Sequence, residues 1–227
     1  MNQNHKIVLG CLVLTVVILG VVSYGLLNSP MEWNVEEDQT LTYMISVKGF
    51  ERYFSGSNYT DSPTPYDLLN RSMLQVKIGN LPQVNKVFSK TSFVTEVVDF
   101  SKTSIVSPFE LENGTQIIES EVLFLNGIIS KTLMPIGGWS IIDGFFIDQP
   151  INEFQCDDYF SFTGQSVFIM GFRYFNIDAG HGWNATIDMS SGIPQTIHWF
   201  NVKYYGSNWY VYEITLESIS REVVLHE

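Results

Sequence analysis

The chain has 227 residues, of which 45% are apolar and 14% aromatic, ample material for a packed core and not the composition of a disordered chain. Its 12 Lys and Arg face 24 Asp and Glu, for a formal net charge of -12. Such a balance repels phosphate backbones and anionic headgroups, which excludes nucleic acid as a partner class.

Ile7 to Leu27 reads IVLGCLVLTVVILGVVSYGLL and holds no charged residue. At about 1.5 Å per residue this stretch spans roughly 30 Å, the thickness of a bilayer's hydrocarbon core. It is longer than the apolar region of a cleaved signal peptide, and no A-x-A site follows it. An uncleaved transmembrane helix is therefore expected over residues 7–27. Residues 1–6 are expected on the cytoplasmic side, 28–39 as a linker, and 40–227 as one extracytoplasmic domain. His5 and Lys6 precede the span while Glu32, Glu36, Glu37 and Asp38 follow it, which agrees with the positive-inside rule. Beyond the span 24 acids face 11 bases, a charge that keeps a cell-surface domain soluble.

The predicted strands begin at Thr40 to Val47, an alternating run rich in β-branched and aromatic residues. Ser55 to Pro65 reads as an exposed loop, and Tyr66 to Asn70 as one helical turn. Ser72 to Gly79 alternates again and turns Leu74, Val76 and Ile78 toward the core. Ser92 to Phe100 reads as a strand. Thr115 to Leu125 and Ile128 to Met134 read as a hairpin around Asn126-Gly127, a pair suited to a type I′ turn; Glu112-Asn-Gly-Thr reads as another tight turn. Trp139 to Ile147 is apolar and fits a short helix or a buried loop, and Asp148 to Asp158 is a polar connector. Strands over Ser166 to Phe175, His181 to Asp188, Gln195 to Tyr205 and Trp209 to Ile219 are joined by short polar turns, which builds an antiparallel meander. The expected fold is mainly β: a meander forming a curved sheet, a sandwich or a partial barrel with short helices, preceded by one transmembrane helix.

Chemistry is sparse. Cys11 and Cys156 fall on opposite sides of the expected membrane boundary, so no disulfide staples the domain, and Cys156 reads as a buried lone thiol. His181 and His198 lie on strands expected to be neighbours, with Asp178 and Asp188 near them, but no recognised metal-ligand spacing is present. Glu153, Asp157 and Asp158 lack the alternating oxygen ligands of a calcium loop and read as a solvated acidic loop. No catalytic motif, metal site or cofactor site is expected. Sequons at Asn58, Asn70, Asn113 and Asn184 are candidate glycosylation acceptors. The last third is rich in aromatics: Phe168, Phe172, Tyr174, Phe175, Trp183, Trp199, Phe200, Tyr204, Tyr205, Trp209, Tyr210 and Tyr212. A core role is the first reading of these rings, and the lining of a pocket for an apolar or sugar ligand the second.

Three segments carry a resemblance: Trp33-Asn-Val-Glu-Glu-Asp-Gln-Thr-Leu-Thr-Tyr, Leu133-Met-Pro-Ile-Gly-Gly-Trp and Trp183-Asn-Ala-Thr-Ile-Asp-Met-Ser-Ser-Gly-Ile-Pro. They resemble membrane-anchored surface proteins of archaea, in particular of the Asgard group, which have no characterised function. The third segment is also similar to hairpins of curved-sheet lipoprotein carriers, in which a D-x-x-[ST]-G turn joins two strands. The resemblance implies a β-rich extracytoplasmic domain and carries over no functional residues. Two roles are expected on these grounds: a non-enzymatic surface module meeting a protein or lipid partner, or a carrier or receptor holding an apolar ligand or sugar in an aromatic-lined sheet.

Overall fold

The structure is a computed structural model and describes residues 30–55, 57–64, 66–84, 88–107, 119–145 and 156–219; the side chains of 102, 105–107, 119–124 and 156–158 are outside that description. The expected membrane span 7–27 with its flank 1–6, Cys11, Asn113, the turn at Glu112 and Glu153 all lie outside the described residues, as do the side chains of Cys156, Asp157 and Asp158. Among the described residues no helix is long and apolar enough to cross a membrane.

Nine strands are present among the described residues: β1 (Thr40–Ser55), β2 (Asn58–Ser62), β3 (Met73–Asn80), β4 (Lys102–Ser107), β5 (Cys156–Thr163), β6 (Val167–Phe175), β7 (Ala179–Asp188), β8 (Pro194–Tyr205) and β9 (Asn208–Ser218). They form one open antiparallel sheet in the order β4-β3-β1-β9-β8-β7-β6-β5, and β2 pairs the far half of β1. The fold is thus mainly β, as the alternating runs predict. Leu41, Tyr43, Ile45 and Val47 of β1 are buried, and so are Leu74, Val76 and Ile78 of β3. Register carries this face across the sheet, from Ile45 to Leu216, Ile197, Ala185 and Met170.

Two stretches expected to be extended, Ser92 to Phe100 and the hairpin around Asn126-Gly127, have other conformations, while Trp139 onward takes the helical one of its two expected forms. Ser92 to Phe100 is helical: α1 (Lys90–Phe93) continues into a π-helical turn, Val94–Val98. Ser89 caps it, its hydroxyl accepting from the Ser92 amide while the Ser92 hydroxyl accepts from the Ser89 amide. Phe93, Val97 and Val98 recur at helical spacing and are buried, which outweighs their β-branched bias. The expected hairpin around Asn126-Gly127 is instead the interior of α2 (Glu119–Thr132). Leu125, Ile129 and Leu133 recur every fourth residue and are all fully buried, and burial of that stripe decides the conformation. Trp139 to Asp143 is a short helix, α3, whose indole packs 5.0 Å from the Phe168 ring of β6. Conversely, β2 falls in the expected loop, and β5 starts inside the expected connector.

Gly127 sits exposed in the middle of α2, with no heavy atom within 4 Å of where a Cβ would stand. Gly127→Ala is expected to raise stability by about 1 kcal/mol, read as a higher urea midpoint with unchanged slope.

Residues 31–39 are bound into the domain rather than hanging from it as a linker. Met31 and Val35 are buried. The Glu32 amide donates to the Ile136 carbonyl at 3.0 Å and the reverse bond is 2.8 Å. The Trp33 indole donates to the Pro82 carbonyl at 2.6 Å, and the Asn34 side chain to the Ser190 carbonyl at 2.7 Å. These contacts lie at the end of the sheet where β1 starts and where β7 turns into β8. We call this the proximal end.

Candidate functional site

The opposite, distal end of the sheet is formed by three hairpin tips side by side: β1–β2, β9–β8 and β7–β6. Exposed rings and one aliphatic side chain gather there: Phe54 and Tyr59 on the first tip, Tyr204, Tyr205 and Trp209 on the second, Phe175 and Ile177 on the third. The tips are tied to one another. The Phe54 amide donates to the Asn208 side-chain oxygen at 3.0 Å, and the Tyr204 amide to the Asp178 carbonyl at 2.8 Å. Rings also pair within tips, Phe54 with Tyr59 at 5.1 Å and Tyr204 with Trp209 at 5.4 Å.

The first two tips share a local pattern: Phe54-Ser-Gly-Ser-Asn-Tyr59 and Tyr204-Tyr-Gly-Ser-Asn-Trp209. In both, an aromatic residue stands on each side of Gly-Ser-Asn in the sequence, and in the second tip Gly206-Ser207 is a two-residue turn. Gly206 holds φ at 60°, which suits the first central position of a type II′ hairpin turn. On the third tip the Asn176 side-chain oxygen accepts from the Asp178 and Ala179 amides at 2.9 and 2.7 Å, which closes the loop locally.

Behind the first two tips, Arg52 donates to both carboxylate oxygens of Asp61, at 2.6 and 2.9 Å. Its guanidinium also lies 4.7 Å from the centre of the Phe50 ring and 5.8 Å from that of Trp209. The bond from Arg52 holds the Asp61 carboxyl below its usual range. On the other face, the Glu51 carboxylate accepts from the hydroxyls of Tyr53 and Tyr212.

No protein-family model matches this chain, and neither a curated protein nor a solved structure matches it.

The bond to Glu51 is the main cause that lifts the Tyr53 phenol to about 12. Burial, and then the bond to Glu51, raises the Tyr212 phenol; burial raises the Tyr43 phenol, whose hydroxyl has no hydrogen-bond partner among the described residues. A phenol whose folded pKa is raised stabilises the fold fully below its unfolded value of about 10, and that contribution is lost as pH rises toward the folded value. The denaturant midpoint is therefore expected to fall progressively above about pH 10, with Tyr43, Tyr53 and Tyr212 the last phenols to ionise in an ultraviolet titration.

The expected candidate residues are dispersed. His181 and His198 do lie on neighbouring strands, but on opposite faces of the sheet. Register sets His181 opposite Asn201 and His198 opposite Asn184, an odd offset of three residues along each strand. They cannot share a ligand. His181 is in β7, as expected; Asp178 is in the β6–β7 tip and Asp188 at the far end of β7. Among the described residues no three His, Cys, Asp or Glu side chains converge.

Of the twelve aromatics in the last third, Phe168 and Tyr212 are buried, and the other ten are half-buried or exposed. A core role accounts for four of them, since Trp183 and Trp199 also pack against the core. Among the sequons, Asn58 opens β2 at the distal rim and is exposed, Asn70 is exposed with its side-chain oxygen accepting from the Val47 amide, and Asn184 is half-buried in the middle of β7. An open groove of about 440 Å³ lies at the proximal end, lined by Gln39, Leu41, Asp188, Ser191, Ile193 and Ile219 among others. The rim itself is legible as letters, in the repeated aromatic-x-Gly-Ser-Asn-aromatic pattern. Only strand order brings its parts together.

Proposed function

We propose that the chain is a single-pass, non-enzymatic surface module: residues 7–27 cross the membrane, and the sheet stands outside with its distal rim as the working end. The observation that supports this reading best is the docking of Met31 into the domain. Only residues 28–30 separate it from the charge-free stretch, so the tether is too short to let the domain swing freely. The proximal end then faces the bilayer. From Thr40 to Arg52, β1 extends about 40 Å at roughly 3.3 Å per residue, which carries the rim away from that surface. The packed helical cover of Phe93, Leu125, Ile129 and Trp139 favours an interaction module over a carrier that stores an apolar ligand inside. The separation of His181 from His198 favours a non-enzymatic role.

Alkaline extraction of cell membranes, followed by flotation, tests the reading. The full chain is expected to stay with the membrane, and protease added to intact cells is expected to digest the domain. Release into the soluble fraction with residues 7–27 still attached would overturn it.

A further inference from the structure

We propose that the distal rim docks on a lipid surface, an electrically neutral bilayer other than the one that holds the anchor. This rests on the membrane-anchor reading for its geometry. Three observations carry it.

The first is charge. Residues 54–59, 175–179 and 204–209 contain one charged side chain, Asp178, in a chain of net charge -12. An anionic surface would call for a basic rim, and these tips contain no Lys or Arg. Zwitterionic headgroups ask only that few charges be desolvated. Lys203 stands one residue behind Tyr204, at the level where an ammonium meets headgroup phosphates.

The second is residue type and placement. Tyr, Trp and Phe flank small polar residues at the outermost points of the strands. Amphipathic rings of this kind concentrate at the membrane–water interface. The most exposed members, Ile177 at 76%, Tyr205 at 64% and Tyr59 at 57%, come one from each tip. Protein hot spots also favour Tyr and Trp, but bury them in a desolvated patch ringed by polar contacts. Side chains this exposed, one from each tip, fit a soft, receiving medium better than a rigid partner.

The third is rigidity. The Asn208 and Asp178 bonds between tips, and the Asn176 bonds within one, hold the tip backbones in place before contact. Docking then orders little additional backbone.

The test uses the full chain in dye-labelled phosphatidylcholine vesicles, mixed with protein-free phosphatidylcholine vesicles carrying a second dye. Flotation first reports whether the chain is anchored. Anchored protein is expected to bring the two dyes together, and to do so at both low and high salt. The combined variant Tyr59→Ser, Ile177→Ser and Tyr205→Ser is expected to lower this capture by about tenfold or more, since interfacial binding scales with buried apolar area. Phe162→Ser removes an equally exposed ring near the other end of the sheet and is expected to leave capture unchanged. Equal capture by the triple variant overturns the proposal, and so does capture only when both vesicle populations carry the protein, which would mark contact between two copies. A glycan found on Asn58 of the native protein also overturns it. Protein that fails to float defeats the anchor reading alone; added to vesicles directly, it must then sediment with them through the same three side chains, or the rim proposal falls too.

Discussion

Replacing Phe93 by alanine is expected to cost about 3–5 kcal/mol, the usual range for truncating a fully buried phenylalanine. The ring is wholly inaccessible and touches Phe88 at 5.8 Å and Phe145 at 5.5 Å between centroids. Those partners come from either side of α1, so the hole left by truncation is walled by separate segments that cannot close together without moving the sheet cover. Phe100→Ala, seven residues along, removes a ring that is 59% exposed and is expected to stay within about 0.5 kcal/mol. The pair of variants also tests the local conformation. In a strand, alternation would group Phe93 with Thr95 and Val97 and leave Val98 on the other face. In the observed helical turns Phe93, Val97 and Val98 are buried together. Val98→Ala should therefore destabilise as Val97→Ala does, and urea denaturation of the variants would show whether it does.

That segment illustrates how far the sequence could be read. Strands with one wet face and one dry face declare themselves by alternation, and β1, β3 and β6 to β9 all do. The strands that escaped, β2, β4 and β5, are the edges of the sheet. An edge strand gains little from apolar alternation and carries polar residues that discourage further pairing, as in Asn58-Tyr-Thr-Asp-Ser. Its letters then look like loop. The helical cover was hidden for the converse reason. Val, Ile, Phe and an Asn-Gly pair favour extended structure locally, and only the sheet surface beneath, waiting to be covered, rewards the stripe of Leu125, Ile129 and Leu133. The rim needed more than local pattern. Its tips come from segments around residues 56, 177 and 206, and it is the antiparallel order of β2, β1, β9, β8, β7 and β6 that aligns them. The histidines show the same dependence, because an odd register offset, here three residues, sends side chains of neighbouring strands to opposite faces.

Gly192→Ala is expected to destabilise the domain by about 3 kcal/mol or more, and to loosen its proximal end first. Gly192 holds φ at 74°, where an L side chain costs about 1–2 kcal/mol on its own. A Cβ there would also stand 1.9 Å from the Met134 carbonyl oxygen. Backbone cannot rotate aside as a side chain can, and the Met134 amide donates to the Gly192 carbonyl at 3.0 Å, so the two segments must part. Gly206→Ala serves as the comparison: its φ is 60° but nothing lies within 4 Å of the added Cβ, so only the conformational cost of about 1–2 kcal/mol applies. The difference between the two variants isolates the contact with Met134. Separation at Met134 should spread, because Ile136 is bridged to Glu32 and the Asn34 side chain holds the Ser190 carbonyl of the same turn. Limited proteolysis is expected to cut Gly192→Ala within residues 31–39 under conditions where the parent chain resists. If the variant instead unfolded in one step with those residues protected to the end, the proximal end would be part of the central cooperative unit and not a lock of its own.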